Sequence, residues 1–381
     1  MSCNIEHIKI NNKFNINNNF KSNNYFKEEI SIVKVKKGYI SIIVAVYNDE
    51  NRIGYCIKSV LNQDFKNFEL IIVNDGSTDS SGKISRDFAK KNSRVSLVNI
   101  TNGGPSNARN VGIKKAKGEF IFFLDSDDYI ETEALNLLYS QITKSKIDLV
   151  IGNFTTLLDS KKIIPSRNIL HFPRSTILSR KKINTYINLY LQRPNKYPLF
   201  AFSWGRLFRT EIIKEKKILF NKDMRTFEDV DFNFRYLCYV ENAFYVKKSI
   251  INHIISSTYS SATMNIPKNY KKFFGYGIAL ESASNYLRKN KITKNIIPNV
   301  AHAYSAFTII QFIRLGLQYN KKNKVIIKKI FFEFVNDPLL QEKISHYSPN
   351  KGDSVIIPVL IKMKFTWLLI QFCRIKGKLR Y

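Results

Sequence analysis

Three acidic residues within four positions have the clearest chemical potential in this sequence. Asp125, Asp127 and Asp128 come directly after the apolar run 120–124. Carboxylates this close together repel one another unless a cation or hydrogen-bond donors compensate for their charge. A hard divalent cation takes oxygen ligands, and phosphate oxygens can complete its octahedral shell. The acids therefore predict a divalent-cation site that can also hold a phosphate group.

An alternation of apolar runs and helix-like stretches surrounds these acids. The apolar runs are 40–46, 68–73, 95–100 and 120–124, and the helix-like stretches between them are 52–61, 82–91 and 106–116. Continuous apolar strands separated by helices are typical of a parallel sheet that is covered on both faces. Such sheets bind their ligands at the carboxyl ends of the strands. The residues that follow each strand therefore form the candidate site.

Carboxylates and one aromatic residue follow the predicted strands. Residues 47–50 read Tyr-Asn-Asp-Glu, 74–77 read Asn-Asp-Gly-Ser, and 125–128 carry the three acids. A carboxylate at such a turn can accept a hydrogen bond from a ribose hydroxyl or a base edge, and Tyr47 can stack on a base. Asp75 can equally form a turn or a helix cap, because Asp residues do so readily. The residue types alone leave both interpretations of Asp75 open.

Four ordered sequence blocks lie between about residues 40 and 240. They read SIIVAVYNDENRIGYCIKSVLNQDFKNFELIIVNDGSTDSS, NGGPSNARNVGIKKAKGEFIFFLDSDD, SWGRLF and FEDVDFNFRYL. Together they resemble the family-2 glycosyltransferases of bacterial cell-envelope polysaccharide synthesis. A D-x-D pair alone is common by chance, whereas ordered blocks at successive strand ends are specific. The resemblance implies an α/β fold of the GT-A nucleotide-diphospho-sugar transferase type. This fold is a Rossmann-like mixed sheet flanked by helices.

The resemblance implies a nucleotide-sugar pocket at the strand ends. Its expected residues are Ala45, Tyr47, Glu50, Asp75, Asn102, Gly104, Arg109, Asp125, Ser126 and Trp204. Asp75 is expected to bind the uracil base, and Gly103 and Gly104 would let the backbone approach the nucleotide closely. For Arg109 the alternative is a solvated position on a helix. For Trp204 the alternative is plain core packing.

The resemblance also implies the metal ligands. Asp127 would bind the metal directly, Asp125 would contact the metal shell or the ribose, and His253 would be a third ligand. An ordinary surface or core histidine is the alternative for His253, because the sequence around it matches the family pattern poorly. Mn²⁺ is the expected ion, with Mg²⁺ as the alternative.

An acidic pair further along the chain supplies the expected catalytic base. In the family pattern Asp229 removes the proton of an acceptor hydroxyl, and Glu228 stands beside it in the pair. A hydroxyl is a poor nucleophile at neutral pH, so a carboxylate within hydrogen-bond reach accelerates its attack. Attack on the face opposite the leaving diphosphate inverts the anomeric carbon. Asp231 is interpreted as a solvated helix acid.

The charge and the cysteines restrict the partners and the compartment. Lys and Arg number 61 against 30 Asp and Glu, and the formal net charge of +31 favours anionic partners. The sequence patterns typical of nucleic-acid-binding modules are missing, so nucleic acid is not an expected partner. The four cysteines are scattered and no secretory signal is visible, which predicts reduced thiols and a cytoplasmic protein.

The sequence divides into three predicted regions. Residues 1–38 form a polar low-complexity extension, 39–264 the GT-A catalytic domain, and 265–381 a basic C-terminal helical subdomain. Within the last region, 355–372 is apolar and is followed by basic residues, a composition that suits an anionic bilayer surface. A buried core helix is the alternative. Lys362 and Lys364 disfavour a transmembrane span, so we predict peripheral attachment to the inner face of the cytoplasmic membrane.

The sequence therefore predicts an inverting, metal-dependent glycosyltransferase. It would move a sugar from a UDP-sugar to a hydroxyl of a growing cell-surface glycan, such as capsule or lipopolysaccharide. The acceptor glycan would be free or linked to a lipid. One alternative is an Asp-x-Asp phosphatase, but that motif follows the first strand of its domain. A second alternative is a non-catalytic protein that binds glycans at the membrane surface. The intact acids of the site argue against it, namely Asp75, Asp125, Asp127 and Asp229.

Overall fold

The computed structural model describes residues 35–144, 146–158, 162–163, 172–194, 196–255, 275–292, 296–350 and 353–380. The strands are β1 (Lys36–Val46), β2 (Phe68–Asp75), β3 (Val95–Ile100), β4 (Gly118–Asp125), β5 (Tyr129–Ile130), β6 (Leu149–Leu158), β7 (Lys162–Ile163), β8 (Thr176–Ser179), β9 (Arg206–Arg209) and β10 (Asn242–Ile255). The first 34 residues of the predicted N-terminal extension lie outside the described residues, and β1 begins before the predicted boundary at 39.

The helices alternate with the strands in the first half of the chain and follow them in the second half. They are α1 (Ile53–Leu61), α2 (Ser81–Lys91), α3 (Pro105–Lys115), α4 (Ala134–Ile142), α5 (Arg180–Gln192), α6 (Thr210–Glu215), α7 (Glu228–Leu237), α8 (Tyr276–Lys289), α9 (Ile296–Leu317), α10 (Lys324–Val335), α11 (Pro338–Ser345), α12 (Ile356–Lys362) and α13 (Thr366–Arg380).

One mixed sheet organises the molecule. Its strand order is β3-β2-β1-β4-β9-β6-β10-β5, with β7 paired to β6 and β8 paired to β10. The strands β1 to β4 are parallel, whereas β9 runs antiparallel to both β4 and β6. The register places Ala45 beside Val73 on one side and beside Asp125 on the other. The parallel half therefore brings three strand ends to one edge.

The central strand β1 is buried on both faces. Ile42 and Val44 belong to a cluster with α1 and α4, whereas Ile43 belongs to a cluster on the opposite face with α3 and α7. Successive strand side chains point to opposite faces, so a strand between two helical layers must be apolar at every position. This is why the run 40–46 is continuous and not alternating. The predicted mixed sheet flanked by helices is confirmed.

The C-terminal helices share the second of these clusters. Buried side chains of α8 to α13 join those of the sheet and of α7 in one core. The helix α9 has the length and the apolar composition to cross a membrane, but 61% of its most apolar window is buried inside the protein. It is thus placed as a core helix of this layer. The predicted C-terminal helices are confirmed, while residues 256–274 around the predicted boundary lie outside the described part of the chain.

The apolar segment 355–372 forms two helices. The helix α12 ends at Lys362, Lys364 takes a left-handed φ of 58°, and α13 begins at Thr366. A non-glycine residue at positive φ cannot continue a right-handed helix. Lys362 and Lys364 therefore do not lie on one continuous helix. Pro358 lies in the first turn of α12, where its missing N–H costs nothing.

Candidate active site

The three acids of the predicted metal site, here named the metal-side acids, lie at and just after the carboxyl end of β4. Carboxylate oxygens of Asp125, Asp127 and Asp128 lie within 4.8 Å of one another. Burial and the charges of Asp128 and Asp125 raise the pKa of Asp127 to about 7, while Arg52 opposes that rise. A cluster of carboxylates whose charges disfavour one another is the donor set that a hard divalent cation fits.

Arg52 and Asp49 support the metal-side acids, although neither residue was among the predicted site residues. Nη1 of Arg52 lies 3.3 Å from Oδ2 of Asp127, and its Nε lies 2.6 Å from Oδ1 of Asp49. The Ser126 hydroxyl donates to Oδ2 of Asp49 at 2.6 Å. The sequence signal that could have identified Asp49 is its position just after β1, because residues that follow parallel strands lie at the same edge of the sheet. Arg52 follows Asp49 at the three-residue spacing of a helical turn.

Asp128 is buried and holds His253. Its two carboxylate oxygens lie 3.1 and 3.2 Å from Nδ1 of His253, and Oδ1 also accepts the backbone N–H of Ile254 at 2.8 Å. Burial alone would lower the pKa of His253, but the contact with Asp128 outweighs it and raises that pKa. The contact orients the ring through Nδ1 and leaves Nε2 for another partner. The cluster of possible ligand atoms within 4.8 Å of one another comprises the three acids and not His253. The role of His253 as a metal ligand stays a prediction.

Arg109 connects the metal-side acids to the acidic pair. Its guanidinium lies 2.9 Å from Asp125, 3.4 Å from Glu228 and 3.3 Å from Asp229, and the side chain is buried. Burial would lower the pKa of Arg109, but the three carboxylates outweigh that effect and raise it. The alternative of a solvated helix position is wrong, because α3 turns this residue toward the start of α7.

The acidic pair lies at the first turn of α7. Phe227, the residue before the helix, has a left-handed φ of 67°, and acids in a first helical turn are favoured by the helix dipole. Burial and the neighbouring Asp229 raise the pKa of Glu228 to about 7, while Arg109 opposes the rise. The hydroxyl of Ser203 donates to Oδ1 of Asp229 at 2.8 Å. Apart from its place beside Trp204, Ser203 carried no sequence signal.

Asp75 fixes the loop between β3 and α3. Its two carboxylate oxygens accept the backbone N–H groups of Gly103 and Gly104, both at 2.8 Å. Burial raises the pKa of Asp75, and these two hydrogen bonds oppose the rise. Gly104 has a φ of 86° and lies at the N-terminus of α3, with Asn102 exposed just before it. Asp75 therefore stabilises the loop, as the turn interpretation predicted. The loop it stabilises also lies at the predicted nucleotide pocket.

The end of β1 presents an exposed aromatic ring. Tyr47 is exposed and follows the half-buried Ala45 and the buried Val46. The carboxylate of Glu50 accepts the backbone N–H of Ser80 at 2.8 Å, and the backbone N–H of Glu50 donates to Asp79 at 3.0 Å. These bonds tie the loop after β1 to the loop after β2. Glu50 thus fixes the loop that carries Tyr47.

Trp204 forms one wall beside His253. Its ring stacks on Phe202 at 4.8 Å and on His253 at 5.2 Å, and it meets Phe154 edge-on at 4.9 Å. The ring is buried, so Trp204 packs in the core and also forms a wall of the candidate site. Arg206, two residues further on, donates to the backbone carbonyls of Leu199 and Trp204. Burial lowers the pKa of Arg206 to about 9.

Asp231 does not lie in solvent. It is buried, its carboxylate lies 2.6 Å from Nη2 of Arg235, and it accepts the hydroxyl of Ser282 at 2.6 Å. The interpretation as a solvated helix acid is wrong, because α8 packs over α7 and covers this side chain. Asp231 connects α7 to α8 through its bond with Ser282.

Fold and site together define a glycosyltransferase of the GT-A class. The structure of Staphylococcus aureus TarS 1–349 superposes with a TM-score of 0.59 at 18% identity, covering 90% of this chain and 92% of that one. Its complex with UDP-GlcNAc gives a TM-score of 0.61 at 18% identity, covering 89% and 91%. At this identity the likeness concerns the fold. The metal-side acids follow the fourth strand, which separates the site from Asp-x-Asp phosphatases.

The chain belongs to glycosyltransferase family 2. The family described as Glycosyl transferase family 2 matches residues 41–215. EpsH of Bacillus subtilis, named as a glycosyltransferase, is 32% identical over 255 residues, which are 66% of this chain and 70% of EpsH. EpsJ of the same organism, an uncharacterized glycosyltransferase, is 27% identical over 356 residues, which are 90% of this chain and 97% of EpsJ. The predicted family and enzyme class are confirmed.

Proposed function

We propose that this enzyme transfers a sugar from a UDP-sugar to a hydroxyl of a growing cell-surface glycan, with inversion at the anomeric carbon. The observation that carries the proposal is the network around Arg109. It joins Asp125 on the metal side to Glu228 and Asp229 on the acceptor side within hydrogen-bonding distance. A donor diphosphate and an acceptor hydroxyl can thus meet between the two groups of acids.

The strand ends offer the donor pocket. Tyr47 presents an exposed ring for the uracil base, and Asp75 holds the Gly103–Gly104 backbone at the place where the nucleotide would approach. A UDP donor agrees with the fold relative TarS, whose structures include complexes with UDP and with UDP-GlcNAc. Asn102, Ser126 and Trp204 complete the proposed pocket.

Asp127 and Asp125 would hold a divalent metal. We propose Mn²⁺, with Mg²⁺ as the alternative and His253 as a third ligand. When bound, the ion supplies positive charge next to the departing diphosphate. The protein contributes Arg52 and Ser126, which hold Asp127 and the loop that carries it.

Asp229 is the proposed base. Ser203 and Arg109 fix its Oδ1 at 2.8 and 3.3 Å, so the carboxylate keeps one orientation toward an incoming hydroxyl. Glu228, whose pKa is raised to about 7, lets the pair carry less than two full negative charges at neutral pH. Proton removal by a carboxylate in such a position contributes about 10²–10⁴-fold to the rate.

The acceptor is proposed to belong to the cell envelope. One relative, the poly(ribitol-phosphate) beta-glucosyltransferase of Bacillus spizizenii, is 35% identical over 194 residues, which are 50% of this chain and 28% of that protein. Its name supports a polymeric envelope acceptor, and capsule, lipopolysaccharide or a similar glycan fits this class. We propose that transfer takes place in the cytoplasm, at the inner face of the cytoplasmic membrane, on a free or lipid-linked glycan.

Thermal melting with a panel of UDP-sugars tests the donor and the metal together. A ligand that binds the folded state at a hundredfold excess over its Kd stabilises it by about 2.7 kcal/mol. One UDP-sugar should raise the Tm more with Mn²⁺ than without it, and Asp127→Ala should lose the metal-dependent part. Asp87→Ala, an exposed acid on α2, is the matched control and should behave as wild type. Equal Tm values for all UDP-sugars, with and without Mn²⁺, would contradict the proposal.

A further inference from the structure

The helix α12 exposes an apolar stripe to solvent. Ile356, Val359 and Met363 are exposed and recur at the spacing of one helix face. On the opposite side, Ile357 and Ile361 are buried in the core shared with the sheet. The helix is therefore apolar on both sides, and the core uses only one of them.

The following helix repeats this arrangement. Leu368, Phe372 and Ile375 are exposed on one face of α13, and Trp367 lies next to them with 63% of its surface accessible. Leu369, Ile370 and Cys373 on the other face are buried in the same core as α12. Since both helices bury one stripe in this core, both exposed stripes face away from it. A soluble protein rarely exposes so many large apolar residues in one stretch.

Positive charge accompanies these apolar stripes. The basic residues after position 353 are Lys362, Lys364, Arg374, Lys376, Lys378 and Arg380, and the same stretch contains no Asp or Glu. The link between the helices combines the exposed Lys364 with the exposed ring of Phe365. The neighbouring α10 packs against α13 and adds exposed Phe332. The surface of α12 and α13 is thus apolar, and the charged residues of these two helices and their link are all basic.

We propose that this surface of α12 and α13 docks onto an anionic lipid bilayer. A bilayer accepts apolar side chains at its boundary and attracts basic ones through its anionic headgroups. A second copy of the chain would bring the same basic residues against these, so repulsion would oppose a symmetric contact. Because α9 is mostly buried as a core helix, the proposed contact is a surface contact made by α12 and α13. This inference goes beyond sugar transfer and does not depend on the donor.

Tryptophan fluorescence reports the contact directly. The chain has two tryptophans, of which Trp204 is buried, with 5% accessibility, and Trp367 is exposed. Vesicles of phosphatidylcholine with phosphatidylglycerol should shift the emission to shorter wavelength as Trp367 enters the headgroup region. Pure phosphatidylcholine vesicles should produce little shift, and added salt should reverse the shift, since screening weakens surface attraction. Trp367→Phe should remove the shift but keep the binding.

Vesicle sedimentation with matched variants tests which residues bind. Ile375→Ser should weaken binding to the anionic vesicles, while Ile177→Ser should not. Ile177 is the matched control, being 52% accessible on β8 against 57% for Ile375. Trp367→Ser should weaken binding by about tenfold or more, because its large apolar ring is lost. Lys376→Gln with Lys378→Gln should weaken it by roughly tenfold. These positions are partly or fully exposed, and a melting curve for each variant confirms its fold.

Three results would overturn the proposal. The wild type could stay in the supernatant with anionic vesicles, or Ile375→Ser could bind as well as wild type. Alternatively, sedimentation equilibrium could show a dimer that Trp367→Ser dissociates while vesicles stay unbound, which would assign the surface to a second copy. None of these measurements contains a sugar donor, so their failure is distinct from failure of the proposed transferase function.

Discussion

At the scale of single residues, Arg109 determines how the site is held together. Its guanidinium is buried among Asp125, Glu228 and Asp229, and these acids come from two distant parts of the chain. A buried ion pair adds little net stability compared with apolar packing, but breaking one by removing a partner is costly. Arg109 therefore serves to position the acids and to compensate for their charge.

Replacing Arg109 tests this positioning role. Arg109→Ala leaves three acids without their cation, so we expect a loss of about 3–5 kcal/mol in the free energy of unfolding, measured with urea. Arg109→Lys should recover part of the stability but little of the activity, since an ammonium group lacks the planar fork. The deficit of Arg109→Ala should shrink from pH 8 to pH 6 as Glu228, whose pKa is raised to about 7, takes up a proton. An alanine variant as stable as wild type at pH 8 would exclude this role.

Asp127 makes metal binding depend on pH. Its pKa is raised to about 7, first by burial and then by Asp128 and Asp125. Below pH 7 the carboxylate is protonated, and the metal must displace that proton. We expect Mn²⁺ to bind about tenfold more weakly at pH 6 than at pH 8 in calorimetric titrations with UDP present. Glu228→Gln should keep this dependence because Glu228 is not a proposed ligand. Equal affinities at both pH values would show that Asp127 is not the titrating ligand.

At the scale of elements, α3 carries Arg109 and lies tightly against β1. A Cβ at Gly112 would come within 2.3 Å of Cγ2 of the buried Ile43. The helix can approach the strand only because position 112 has no side chain. This close approach determines how near Arg109, on the same helix, lies to the acids.

Alanine substitutions on two helices test this approach. Gly112→Ala should destabilise the protein by about 1–3 kcal/mol through overpacking, despite the better helix propensity of Ala. Gly54→Ala on α1 is the matched control, because its Cβ would meet its nearest neighbour at 4.0 Å. We expect that variant to be neutral or more stable by up to about 1 kcal/mol in urea unfolding. Equal effects of the two substitutions would contradict the close packing of α3.

The sequence predicted those parts of the fold and site that depend on local pattern. The strands β1 to β4 and the acids after them follow from apolar runs and turn residues, so the resemblance and the periodicity agreed there. Asp231 was misjudged because the helix that covers it lies about fifty residues away along the chain. The support of Asp127 by Arg52 likewise depends on a tertiary contact. The break at Lys364 depends on backbone conformation, which no residue type there indicated.

At the scale of the whole molecule, the sheet and the C-terminal helices form one unit. Their shared core joins Phe123 of β4 to Phe312 of α9 and Ile361 of α12. The candidate active site occupies the edge where β1, β2 and β4 end, and the proposed membrane surface occupies α12 and α13. A rigid core between the two would keep their geometry constant.

The most direct test of the transferase assignment is the reaction of a radiolabelled UDP-sugar with Mn²⁺. Wild type should transfer or hydrolyse at least one labelled donor, with UDP-N-acetylglucosamine and UDP-glucose tested first. Asp127→Ala should lose this metal-dependent activity, and Asp229→Asn should keep donor binding but lose about 10²–10⁴-fold in rate. The control Asp87→Ala should retain wild-type activity. Full metal-dependent activity in Asp127→Ala would contradict the assignment.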